Sequence, residues 1–369
     1  MKGAPAFLVM TSVLFLSCRQ NNQGSGGSGQ ASSPDNDFKR YADGRPNASK
    51  RMNVRDAGVV LRHGGGPDSC DFYGAREAIA FEYDGLYYMH YDGAGSVGWL
   101  ACLATSKDLT HWAKRGPVLR LGEPDRPDSK SASAPWVYRD GDAWHMFYMG
   151  TPNTSPPPDR VPSFPYMTLK ARSSSPEGPW EKQYDVVPFK PTEGTYYTIT
   201  ASPGFIVKSG DEFLQFFSAS IFDERHDTKR TLGIARTKDL NGAWKPDPSP
   251  IVPLSEQVEN SSLYFEPKNN TWFLFTNHIG LDAKGVEYTD AIWVYWSNDL
   301  NIWNVRDKAI VLDPQNCTWA KGTIGMPSVV VVGTKLALLY DGREGNSTSH
   351  MGRDIGLAWI QLPLEVPGE

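Results

Sequence analysis

A two-strand phrase recurs five times along this chain, and few folds accommodate such a repeat. Each copy is an alternating strand, a turn and a second strand rich in aromatic residues: AIAFEYDGLYYMHYDG from Ala78, APWVYRDGDAWHMFYMG from Ala134, SPGFIVKSGDEFLQFFSA from Ser202, NSSLYFEPKNNTWFLFTN from Asn260 and MPSVVVVGTKLALLYDG from Met326. The turn centres Asp84, Asp140, Gly210, Asn270 and Gly333 are 56, 70, 60 and 63 residues apart. A second phrase follows each of the first four copies, a strand, a polar turn and a tryptophan, as in ATSKDLTHWAKRGPVL from Ala104. The fifth is the shortened RDIGLAWIQLPL from Arg353. Two hairpins per repeat make a four-stranded antiparallel sheet, and five such sheets set radially make an all-β, five-bladed β-propeller. VRDAGVVL from Val54 reads as the missing outer strand of the last blade, closing the ring. A two-sheet sandwich does not call for five matched phrases at a nearly constant period. The tryptophans of the second phrase, Trp112, Trp180, Trp244 and Trp303, occupy one place in each repeat and read as blade packing.

Composition narrows the function. Lys and Arg number 37 against 42 Asp and Glu, a net charge of −5 with no basic block, which argues against a surface that tracks nucleic-acid phosphates. With 12 Trp, 16 Tyr and 16 Phe the chain is well supplied with rings that stack on sugars, so a carbohydrate is the expected partner.

The N-terminus reads as a targeting segment. Lys2 precedes an apolar run from Ala6 to Leu16, shorter than a bilayer span, and Ser17 stands directly before Cys18 as in a bacterial lipobox. The expectation is an exported protein, held at a membrane only by a lipid on Cys18; plain secretion is the alternative. Residues 19–52, rich in Gly, Ser, Asn and Asp, read as a disordered tether, and 53–369 as the propeller. Of the other cysteines, Cys102 lies in an apolar strand and reads as a buried thiol, while Cys70 and Cys317 sit in polar stretches and are candidates to pair. There is no C-x-x-C pair and no acidic loop with calcium-ligand spacing, so no cofactor or essential metal is expected.

In a propeller the innermost strands converge on a central funnel, and residues far apart in sequence meet there. Blade 1 opens with the polar run from His63 through Asp68, Asp71 and Arg76 to Glu77, next to the apolar strand at Ala78. The equivalent entrance of blade 4 carries Glu259, with Glu256 just before it. Two carboxylates from different blades on one cavity are what glycoside hydrolysis needs, one to protonate the leaving oxygen and one to activate water or attack the anomeric carbon. The competing reading makes Glu77 the partner of an arginine such as Arg76 or Arg353, and Glu259 a turn cap. Arg76, Trp136, His278, Asp290 and Arg353 stand beside apolar strands near the funnel and are candidates to grip substrate hydroxyls; His350 and the Asp341-Gly342 pair are read as structural.

At these residues the sequence resembles the five-bladed propeller glycosidases, the furanosidase superfamily of glycoside hydrolase families 43, 32, 62, 117 and 130. The strand pair with an Asp-Gly turn followed by S-K-D-L-x-x-W, over residues 55–364, carries the likeness. Family 43 is closest in pattern. The resemblance implies a base at Glu77, whose following residue is Ala78 where the family has proline, and a general acid at Glu259. The family's third carboxylate, an Asp before Pro, is replaced by Ser202-Pro203, and Asp71 competes with Glu77 for the role of base. The implied activity is hydrolysis of an oligo- or polysaccharide with inversion. A non-catalytic glycan binder and a glycoside phosphorylase are the alternatives.

Overall fold

The computed structural model describes residues 47–282 and 285–368, so Cys18 and most of the expected tether lie outside the described residues. The five blades fall where the repeats place them. Blade 1 is Gly74–Tyr83, Leu86–Ala94, Trp99–Ser106 and Ala113–Pro117; blade 2 is Ser131–Asp140, Ala143–Thr151, Met167–Ser173 and Glu181–Lys182. Blade 3 is Thr200–Ser209, Glu212–Phe222, Thr228–Thr237 and Lys245–Pro246; blade 4 is Val258–Glu266, Thr271–Leu281, Glu287–Ser297 and Lys308–Leu312. Blade 5 takes Ala320–Val332, Lys335–Glu344 and Asp354–Gln361 from the C-terminal end and its outer strand, Val54–Leu61, from the N-terminal end. The ring is therefore closed by pairing the two ends of the propeller, as the sequence suggests. Lys50–Arg51, read as tether, instead runs parallel to Ala309–Ile310 of blade 4, and Arg51 makes a bidentate ion pair with Asp313 at 2.8 and 3.1 Å.

Alternation of side chains about each strand fills the seams between blades. In the second strand of blade 4, Phe273 and Phe275 face blade 5 and pack with Leu336, Leu338 and Ile360, while Leu274 faces blade 3 and packs with Leu214 and Leu232. Among the described residues there are five such apolar clusters, one for each seam of the ring. The repeat tryptophans belong to this packing: Trp112 and Trp303 each donate an indole hydrogen bond at 2.8 Å to the carbonyl of the leucine three residues earlier. Asp84-Gly85 turns blade 1's first hairpin with φ positive at both residues (54° and 75°), the geometry of a two-residue turn that matches strand twist.

The cysteines do not follow the expected pairing. Blades 5 and 1 are neighbours, but Cys317 lies in the seam between blades 4 and 5, 3.6 Å from the Tyr340 hydroxyl, and Cys70 lies in the next seam with Cys102. All three are buried thiols.

Candidate active site

One irregularity is repeated in all five inner strands. The pairing of first and second strands shifts between Arg76 and Ile79, Ser133 and Trp136, Ser202 and Phe205, Glu259 and Ser262, and Gly325 and Ser328. A bulge of this kind re-aims side chains at the strand's end, and here it does so five times around one axis. The bulged residue has positive φ in four blades, Glu77 (49°), Ala134 (46°), Asn260 (58°) and Met326 (55°), and is Pro203 in blade 3.

Three of the five bulges are braced from one blade to the next by the second-strand residue opposite the shift. Asp341 of blade 5 accepts the Glu77 N–H at 3.0 Å, Asp92 of blade 1 accepts the Ala134 N–H, and Ser218 of blade 3 accepts the Asn260 N–H at 2.9 Å. Between blades 2 and 3 the corresponding residues are Met149, which offers no oxygen, and Pro203, which has no N–H to satisfy.

Above the bulges lies a cavity of about 270 Å³ walled by Arg76, Glu77, Asp92, Arg230, Glu259 and Glu287. Trp99, His350 and the blade 2 segment containing Phe164 and Tyr166 complete it. The side chains of Glu77 and Glu259 are each 15% exposed, so both touch the cavity while being largely removed from water. Their surroundings differ. Burial, with the charges of Asp92, Glu259 and Asp341, pushes the Glu77 carboxyl well above the usual carboxylate range, against the opposing pull of Arg76, whose guanidinium is 3.8 Å away. Glu259 is raised by burial but is in direct contact with Arg230, the strongest opposing influence. Arg230 also grips Glu287 with two hydrogen bonds, 2.7 and 2.8 Å, in fork geometry. Burial pushes Asp92 to about 7, against the Ala134 N–H and Arg76. His350 Nε2 is 3.0 Å from the Glu287 carbonyl, which can only accept, so its other nitrogen faces Arg76 Nη1 at 3.4 Å as an acceptor; burial and the arginines hold this ring neutral.

The structure brings together some of the residues expected from sequence and separates others. Arg76, Glu77 and Glu259 meet on the cavity. Asp71 does not line it: the carboxylate is fully buried and taken by Lys114, by the Gly66 N–H at 3.1 Å and by the Tyr91 hydroxyl at 3.2 Å, which makes it a structural anchor rather than a base. Trp136 follows its bulge and lines a separate cavity of about 220 Å³ with Phe205 and Ile206, so it is not a platform for a sugar beside Glu77. His278 and Asp290 are buried within blade 4, 3.4 Å apart, with the imidazole stacked on Trp293 at 3.9 Å, and neither lines the cavity. Arg353 is fully buried and acts at one remove, donating to Asp341 at 2.9 Å, the residue that holds the Glu77 backbone. Glu256 is buried against Lys308 at 2.7 Å.

Asp92, Arg230 and Glu287 were not anticipated. Asp92-Gly93 and Asp341-Gly342 close the first and fifth phrases with the same Tyr-Asp-Gly, which reads as a hairpin turn; both pairs instead lie within strands. The recurrence of Tyr-Asp-Gly was the available signal. Among the described residues no group of three His, Cys, Asp or Glu side chains is placed to hold a metal ion.

No family model matches the sequence, and no curated protein does. Solved structures do. The protein is similar to a glycoside hydrolase at 15% identity and TM-score 0.64, covering 85% of this sequence and 96% of that one. It is similar to the catalytic domain of the Coprinopsis cinerea GH62 alpha-L-arabinofuranosidase at 12% and 0.60, covering 85% and 98%. A thermostable family-43 glycoside hydrolase matches at 14% and 0.57, covering 80% and 95%. The fold is that of the five-bladed propeller glycoside hydrolases. One fold hosts many chemistries, so the reaction is a property of the cavity's own residues.

Proposed function

We propose that this protein is a glycoside hydrolase whose acid and base are Glu77 and Glu259. The observation that carries the reading is that two carboxyl groups from blades 1 and 4 share one cavity, both raised by burial, Glu77 the further because its neighbours are acidic while Glu259 touches Arg230. A pair of titratable groups pushed apart by their surroundings is how acid and base roles are divided at one pH. The sequence expectation made Glu259 the proton donor; the surroundings favour the reverse. Glu77, crowded by acidic neighbours, keeps a proton to give to the leaving oxygen, and Glu259, held against Arg230, stays ionised to activate water. Asp92 takes the part of the third carboxylate missing at Ser202: once ionised, above about pH 7, its charge beside Glu77 raises that group's affinity for the proton. The cavity, at about 270 Å³, lies just below the roughly 300–1,000 Å³ found for ligand clefts, which suits a single terminal sugar unit of an oligosaccharide. By analogy of fold the sugar is a furanoside and the displacement inverting. The protein is exported and anchored through lipidated Cys18, a reading that rests on the Ser17-Cys18 lipobox.

The test is sugar release from a panel of oligosaccharides and aryl glycosides. Glu77→Gln and Glu259→Gln are each expected to lose at least about two orders of magnitude in kcat, the scale of a general acid or base. Aryl glycosides with good leaving groups, which need little protonation, should rescue Glu77→Gln and not Glu259→Gln. Rescue of Glu259→Gln alone would restore the roles read from sequence. A wild type that binds one of these glycans and releases nothing would make the protein a glycan-binding propeller, with the Arg230 pair as a structural tie.

A further inference from the structure

We propose that Cys70 and Cys102 form a disulfide when the protein matures in an oxidising compartment, clamping the loop that leads to Glu77 onto the third strand of blade 1. Cys70 ends the short turn Pro67–Ser69 in the loop before the first strand, and Cys102 sits in the middle of Trp99–Ser106. Both are buried in one apolar cluster in the seam between blades 5 and 1. Gly93 lets them approach: a Cβ there would stand 2.4 Å from the Cys70 carbonyl oxygen and 2.5 Å from Cys102 Sγ, so any side chain at 93 would intrude between them. Cys317, in another seam against Tyr340, does not compete.

The loop is already tied by Asp71 to Lys114 and by the His63 imidazole to Asp354 at 2.6 Å. A covalent link at Cys70 would complete the fastening six residues before Arg76. The reaction is thiol–disulfide exchange during folding, while the thiols are still accessible. One cysteine thiolate attacks a disulfide oxidant such as oxidised glutathione, expelling one glutathione thiolate, and the second displaces the other. One S–S bond is formed for one broken, and two electrons pass from the protein to glutathione. The proposal draws on the exported reading only for the presence of the oxidant, and catalysis is no part of its test.

The full-length protein is produced in a bacterial periplasm, denatured in iodoacetamide and digested with trypsin without reductant. Cys70 falls in the peptide 63–76, Cys102 in 77–107 and Cys317 in 309–321. The expected product is 63–76 joined to 77–107, lighter by two hydrogens than the sum, with 309–321 alkylated. Dithiothreitol should lower the Tm of this protein by about 5 °C, as for a loop of this length in a domain of this size, and leave Cys102→Ala unmoved. Alkylation of all three peptides in the periplasmic protein, or a cross-link that includes 309–321, overturns the proposal.

Discussion

At the scale of single residues, Asp92 shows how the cavity trades stability for a stored proton. Its carboxyl titrates near 7 in the folded protein, chiefly because it is buried, against an ordinary 3.8. The folded state therefore binds more protons than the unfolded one between about pH 4 and pH 7, and stability from this group falls as pH rises through that window. Asparagine keeps the oxygen that accepts the Ala134 N–H but carries no charge. Asp92→Asn should be the more stable protein at pH 8, by up to about 4 kcal/mol at ~1.4 kcal/mol per pH unit of displacement. The advantage should vanish near pH 4, as read from urea unfolding across the range. Its activity should fall as well, because Glu77 loses a neighbour that helps it keep a proton. Arg230 presents the opposite case, a cation whose two carboxylate partners are aligned by its planar fork, a geometry lysine does not reproduce.

At the scale of the strand, the bulge explains which candidates reached the cavity and which did not. Sequence alternation places Glu77, Glu259 and Trp136 at the inner strands correctly, yet one extra backbone residue per strand reverses the facing of the side chains beyond it. Trp136 lies beyond its bulge and turns to the other cavity; Glu77 is the bulge and turns to the acidic one. No local signal marks the bulge, because its residues are chemically unlike one another: Glu77-Ala78, Ala134-Pro135, Pro203-Gly204, Asn260-Ser261 and Met326-Pro327. Arg230 and Glu287 were hidden for a different reason, since each begins or flanks an exposed charged loop and only the ring brings them to Glu259. The second residue of each pair is small, and in blade 3 it must be glycine. A Cβ at 204 would stand 1.7 Å from the Phe216 carbonyl oxygen and 2.8 Å from Ser261 Oγ, both fixed in the sheets. Gly204→Ala should cost about 3 kcal/mol, seen as a lowered denaturation midpoint.

At the scale of the whole molecule, the number and order of the blades were legible because a repeat is a statement about long-range contacts made in local terms. Ring closure was legible for the same reason: Val54–Leu61 is an outer strand without a blade of its own, and blade 5 lacked one. Removing residues 1–61 should leave the Asp354–Gln361 edge unpaired and open the seam that holds Leu61. The expected outcome is a protein that elutes as aggregate on size exclusion and has lost its near-UV dichroism, whereas a version starting at Asn47 keeps both native signals.

The backbone at Glu77 is held by Asp341, and Asp341 by Arg353, both from the last blade. On the ribosome these arrive some 260 residues after Glu77 itself. A nascent or prematurely ended polypeptide thus carries every strand of blade 1 without the prop that shapes its carboxyl group, and competence is withheld until the fifth blade has been made.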